Sequence, residues 1–136
     1  MMTETADIKT ISFSAGLPGF PEAQRFEMRQ WGDGNADNPF WLLESLEVDG
    51  LAFVVTTPWA FYPEYDFELD DVTARRIGLR SPGDVVVLAI VTVGERAEDS
   101  SINLLGPVVV NRHTGDAAQV VLSELAYDVN APLVRS

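Results

Sequence analysis

Cysteine is absent from the 136 residues, which removes disulfide staples, thiol nucleophiles and thiolate metal sites. Histidine occurs once, as His113, so a transition-metal site built on several imidazoles is excluded too. Positive charge is scarce: 9 Lys and Arg, of which only Lys9 is a lysine, stand against 21 Asp and Glu, for a formal net charge of −12. No cluster of bases exceeds Arg75-Arg76, and direct DNA or RNA binding needs many counterion-releasing contacts, so that function class is set aside. Long hydrophobic runs are missing as well. The longest, "VVVLAIV" at residues 85–91, falls far short of the roughly 18 residues of a membrane helix. The start, "MMTETADIKT", has neither the basic beginning nor the apolar stretch of a signal peptide. The expectation is a cytoplasmic protein with no membrane partner.

What is present is a globular composition, 46% hydrophobic and 22% charged, sufficient to bury one core. No linker divides the chain, so residues 1–136 are expected to form a single domain with flexible ends at about 1–6 and 131–136. Short strands separated by turn chemistry dominate. "IKTISFS" and "RFEMRQW" alternate as half-buried strands do, the second with Phe26, Met28 and by register Gln30 on one face. Between them "AGLPGFP" forces irregular backbone, and "GDGNADN" at 32–38 is a polar loop suited to mobility. "PFWLLESLEV" and "LAFVVTTPW" form a hairpin joined at Asp49-Gly50.

"DVVVLAIVTV" and "SINLLGPVVVNR" are nearly continuous apolar runs, the pattern of strands covered on both faces or closed into a barrel. Pro107 cannot donate to a ladder and predicts a break or bulge there. "AAQVVLSEL" supplies a last strand before the tail. One helix is expected, at about residues 71–78, capped by Asp70 or Asp71 and stopped at Gly78. The fold class is all-β: a small antiparallel barrel-like or sandwich fold of about seven or eight short strands with that one helix.

The stretch "WAFYPEYDFELDD" at residues 59–71 carries an acid at every second position, Glu64, Asp66, Glu68 and Asp70, with Asp71 closing the run. Tyr65, Phe67 and Leu69 sit between them. Alternate acids on a strand lie roughly 6 to 7 Å apart, which overlaps the spacing of inverting glycosidases. A general acid, however, also needs a desolvated carboxyl, and four acids on one face point to water. From Asp66 the run imitates a calcium loop at positions one, three and five, but position six is Asp71 where Gly is needed and position twelve is Ile77 where Glu is needed. His113 is the only available base for a nucleophilic triad, and "GLPG" lacks the Lys-Ser/Thr and helix start of a phosphate cradle. The remaining reading is a binding surface, because "PWAFYPEY" sets rigid aromatics beside charge as interfaces do.

Taken in order, "GLPGF", "PFWLLESLE", "LAFVVTTPWAFYPEYDFEL", "VVVLAIVTV" and "SINLLGPVVVN" resemble the flagellar assembly factor FliW family over about residues 11–133. The resemblance implies a barrel-like β protein that is not an enzyme and takes no cofactor, metal or catalytic residue. It further implies two partners: CsrA, a basic RNA-binding translational regulator whose repression of flagellin mRNA such proteins relieve, and flagellin itself. The chain departs at Ser14-Ala15, where family members carry a Pro-Gln or similar pair, at Pro63-Glu64-Tyr65 in place of Pro-Asp-Tyr, and at Leu104-Leu105-Gly106-Pro107 in place of Leu-Leu-Ala-Pro. The expected contact surface, on a chain that is monomeric when free, comprises Pro58, Phe61, Pro63, Glu64, Tyr65, Asp66, Glu68 and Asp70. The acids would steer and repel, and Phe61 and Tyr65 would anchor if their rings are exposed. The alternative is a small-ligand β-barrel or weak hydrolase using Glu64, Asp66 and Glu68, which requires an apolar cavity beneath a buried carboxylate.

Overall fold

Alternation of apolar and polar residues produces the first four strands, β1 (Thr10–Phe13), β2 (Arg25–Gln30), β3 (Phe40–Ser45) and β4 (Ala52–Thr56). They are followed by helix α1 (Asp71–Arg76), the eight-residue β5 (Val85–Thr92), β6 (Ser101–Ile102), β7 (Val108–Asn111), β8 (Asp116–Gln119) and β9 (Ala131–Pro132). The structure, a computed structural model, describes residues 8–14, 16–17, 19–31, 38–123 and 127–134. Ala15, Pro18 and residues 32–37 of the polar loop lie outside the described residues, as do the first seven.

Seven strands close into a barrel in the order β1-β2-β3-β4-β5-β7-β8, with β8 returning to β1. Every pairing is antiparallel except β1 with β8, where Ser12 faces Asp116 and Phe13 faces Ala117. Closure depends on the length of β5. Val85 to Leu88 pair with β7, whereas Ala89 to Val91 pair with β4. Its last residues, Val91 and Thr92, also hold β6, and β6 holds β9, so a two-strand flap extends from the barrel.

Inside the barrel Ile11, Phe13, Phe26, Leu43, Val55, Leu88, Val108 and Val110 are almost fully buried, and Phe13 meets Phe26 edge-on with centroids 5.6 Å apart. Met28 joins this core, but Gln30 is exposed, because β2 ends there at the barrel rim. The outer face of β5 and β7 is buried too. Val87 and Val109 pack with Ile77, and Ala89 and Val91 pack with Tyr65, Ile102 and Leu104. Burial on both faces explains why residues 85–91 of β5 and 108–110 of β7 are apolar without a break.

Several expectations need adjustment. Among the described residues the seven barrel strands are joined by the short flap strands β6 and β9, and Ala131 of β9 is buried. The hairpin connection is longer than two residues: β3 and β4 separate after Glu44 and Ala52, and a Val48-to-Leu51 turn, with Gly50 at φ +81°, closes it. The last strand stops at Gln119, although Val120 and Leu122 still donate to Pro107 and Leu105. The break at Pro107 is present, spanning residues 103–107 between β6 and β7. Helix α1 is shorter than expected, ending at Arg76, with Gly78 following at φ +76°.

Candidate functional site

Residues 58–71 form a strap across the outer face of β5 and β7. It begins with a single 3-10 turn, Pro58–Ala60, in which proline occupies a position whose amide would be unpaired in any case. A second turn follows, closed by the Tyr65 amide donating to the Tyr62 carbonyl at 3.0 Å, with Pro63 at its second position. From there to Asp70 the chain is extended but pairs with no strand. The acidic run is therefore not the strand its alternation predicted. Its period of two comes from packing an extended segment onto a sheet face, with Tyr65, Phe67 and Leu69 turned toward the apolar clusters and Glu64, Asp66, Glu68 and Asp70 in water.

Four contacts fix the strap. The Trp59 indole donates to the Tyr65 carbonyl at 2.6 Å, and the Tyr65 hydroxyl donates to the Leu104 carbonyl at 2.7 Å. Tyr127 clasps Asp66 from both sides, its hydroxyl accepting from the Asp66 amide at 3.1 Å and donating to the Asp66 carbonyl. At the end of the strap Asp70 caps α1, with one carboxylate oxygen 3.0 Å from the Thr73 amide and the other 2.7 Å from its hydroxyl. These bonds hold the Asp70 carboxyl below its ordinary pKa. Burial, with a smaller contribution from Tyr127, pushes the Tyr65 phenol well above its own.

Two of the expected contact residues are corrected by this geometry. Tyr65 is only 3% exposed and cannot anchor a partner, because its ring is already consumed by the barrel wall. Pro58 is buried at the foot of the 3-10 turn. Phe61 is half-buried against Phe40, with centroids 5.6 Å apart, while Pro63, Glu64, Asp66, Glu68 and Asp70 are exposed. The aromatic that the strap does present is Trp59, 42% exposed, together with Val72 on α1 and Val121 on the neighbouring edge. Trp59 stood in the same motif, but nothing in the alternation separates it from Tyr65.

Two clefts flank the strap. One, of about 660 Å³, runs between residues 66–71 and residues 120–123, with acids along one wall and Val120, Val121 and Leu122 along the other. The second, of about 450 Å³, lies on the far side of the Tyr127 clasp and is lined by Tyr62, Glu64, Tyr65, Tyr127 and Asp128 among others. Neither contains a buried carboxylate, and the acids of the run are all solvated, so the requirement for the hydrolase or small-ligand reading is not met. The His113 ring bonds Asp84 at 2.9 Å on the surface, and no hydroxyl completes a triad there among the described residues. No helix among the described residues is long and apolar enough to cross a membrane.

The sequence profile of the family described as "FliW protein" matches residues 2–133. The chain belongs to the FliW family. It is 37% identical to the flagellar assembly factor FliW of Bacillus licheniformis over 131 residues, covering 96% of this chain and 90% of that one. Similarity to the Bacillus subtilis protein is 38% over 123 residues, covering 90% and 84%, and to that of Oceanobacillus iheyensis 40% over 126 residues, covering 92% and 83%. Among solved structures, a crystal structure of the flagellar assembly factor FliW matches with a TM-score of 0.84 at 29% identity, covering 100% of this chain and 91% of that one. These FliW relatives carry an assembly role by name, not a catalytic one.

Proposed function

We propose that this FliW-family chain acts in the cytoplasm as a flagellar assembly factor with no enzymatic step, by binding two proteins in turn. One is CsrA, whose hold on flagellin mRNA it relieves; the other is flagellin, which it accompanies before assembly and which releases CsrA as it accumulates. Synthesis of flagellin is thereby coupled to its use. The observation that carries this reading is the strap: five acids in residues 64–71, no base, and carboxylates in water on a segment fixed at both ends.

Such a surface suits a basic regulator. Solvated charges on a rigid element raise the encounter rate with an oppositely charged protein, and they place negative potential where a phosphate backbone would otherwise approach. Co-purification of the chain with the same organism's CsrA and flagellin, with and without competitor RNA, tests it. The expected result is a complex with each protein and displacement of RNA from CsrA. Recovery of neither partner would overturn the reading.

A further inference from the structure

Beyond Ala117, strand β8 and its continuation keep a neighbour on one side only. Strand β1 last pairs with β8 at Phe13 opposite Ala117, then leaves in a turn closed by the Gly16 amide donating to the Phe13 carbonyl at 2.9 Å. On the other side the Val120 and Leu122 amides donate to the Pro107 and Leu105 carbonyls at 2.9 and 2.8 Å. Main-chain groups alternate sides along an extended segment, so the amides and carbonyls of Gln119 and Val121 point the opposite way. There they meet no main-chain partner among the described residues.

Sheet edges open to water are ordinarily blunted by a charge, a proline or a bulge. This one reads Gln119, Val120, Val121, Leu122, and Val121 is 71% exposed. The charge lies beside it, on the strap. Asp66, Glu68, Asp70 and Asp71 wall the 660 Å³ cleft along residues 120–123, and a further cleft of about 390 Å³ follows residues 117–119 between Arg76 of α1 and the Gly16-to-Pro21 loop. Asp70 is already used in capping α1, and the charge of Arg76 acts on it. The carboxylates of Asp66, Glu68 and Asp71 make no hydrogen bond or ion pair among the described residues.

An extended peptide laid along this edge answers both free amides and both free carbonyls, and its side chains alternate between the strap and the barrel rim. Those facing the strap meet uncommitted carboxylates, which favour lysine or arginine and repel acids. A second copy of this chain fits poorly, since it would bring the same acids and a net charge of −12 to the seam. We propose that the free edge at Gln119 and Val121 binds one extended segment of a basic protein by strand addition, with lysine or arginine at alternate positions facing Asp66, Glu68 and Asp71. This goes beyond the proposed function and rests on it only for the expectation that the segment's owner is one of the partners named there.

The isotope-labelled full chain is titrated by NMR with acetyl-Lys-Val-Lys-Val-Lys-Val-amide, with its glutamate counterpart, and with two forms of the lysine peptide N-methylated at the odd or at the even residues. Saturable binding of the lysine peptide is expected, with amide shifts at Gln119 and Val121 and slowed hydrogen exchange of the Val121 amide, and no binding of the glutamate peptide. An added strand uses the amides of one of its edges only, so one methylated form should bind like the parent peptide and the other about tenfold more weakly or worse. Asp66→Asn with Glu68→Gln is expected to weaken binding about tenfold. Val121→Pro removes an amide that has no partner within the chain and is expected to abolish binding; should that variant not fold, the methylated pair reads the same bond from the peptide side. No saturation, equal binding of the glutamate peptide, equal binding of the two methylated forms, or shifts centred away from residues 117–123 would overturn the site. A dimer in sedimentation that Val121→Pro dissolves would make a second copy the occupant and overturn the assignment to a partner. Recovery of neither CsrA nor flagellin, with the lysine peptide still bound at this edge, would overturn the proposed function and leave the strand-addition site standing.

Discussion

The buried hydroxyl of Tyr65 donates to the carbonyl of Leu104 at 2.7 Å, joining the middle of the acidic strap to the break between β6 and β7, 39 residues away in sequence. This bond decides which face of the strap is available. With Tyr65 locked inward, the alternate positions on either side must point out, and all of them are acids.

Tyr65→Phe is expected to keep the ring packing but orphan the Leu104 carbonyl, costing about 1–3 kcal/mol in urea unfolding at neutral pH. The same residue makes stability fall in alkali. Its folded pKa lies above the ordinary value of 10.0, so its contribution is complete below that value and is lost as pH rises past it, where the unfolded chain ionises first. The variant should therefore lose less stability between neutral and strongly alkaline pH than the parent. Absorbance at 295 nm should show the Tyr65 phenolate appearing only with unfolding.

Asp70 couples the strap to α1, and its carboxyl is stabilised in the charged form by the Thr73 amide and hydroxyl. A depressed pKa means stability present above the ordinary value of 3.8 and lost as pH falls through the lower folded value. Asp70→Ala should lower the Tm at neutral pH and flatten this acid dependence, while Asp70→Asn, still able to cap, should recover most of the Tm. Equal Tm values for the alanine and asparagine variants would refute the capping role.

Gly115 and Gly50 both hold positive φ, +82° and +81°, yet they differ in space. A Cβ at Gly115 would lie 2.3 Å from the Thr10 carbonyl oxygen, at the parallel seam where β8 meets β1, and one at Gly50 would meet nothing within 4 Å. Gly50→Ala should cost about 1–2 kcal/mol, the ordinary left-handed penalty. Gly115→Ala adds a main-chain clash and should cost clearly more, read as a larger drop in the urea midpoint or as failure to fold.

Much of this architecture is legible in the residues. The unbroken apolar runs of β5 and β7 announce two covered faces, Pro107 marks the strand break, and Asp70 with Gly78 brackets α1. What stayed hidden depends on contacts between distant segments. Packing an extended strap on a sheet and pairing it into that sheet give the same alternation, so residues 64–70 pass for a strand. Trp59 and Tyr65 look alike locally, yet one is exposed and the other buried, because Leu104 and Tyr127 arrive from elsewhere to enclose the second. Asn111 gives no local sign that its amide ties the end of α1 to the β7–β8 turn through the Ile77 and Gly78 carbonyls. The two-residue strand β9 is too short to show any period.

The strap's charge makes the last prediction specific to function. Glu64 and Glu68 are exposed, so reversing both leaves the buried contacts of Tyr65, Phe67 and Leu69 intact. Each reversal replaces a negative charge by a positive one, changing the strap by four charges in total. If CsrA is recruited through this face, Glu64→Lys with Glu68→Lys should slow association, weaken binding at low salt and flatten its dependence on ionic strength, because exposed charges act on encounter and are screened within about 8–10 Å. Calorimetry and stopped-flow binding across a salt series read all three. Affinity and salt slope equal to the parent's, with the fold intact, would place the CsrA contact elsewhere on the barrel. A loss of affinity with no change in salt slope would instead mean that the two side chains act by local contact and not by steering.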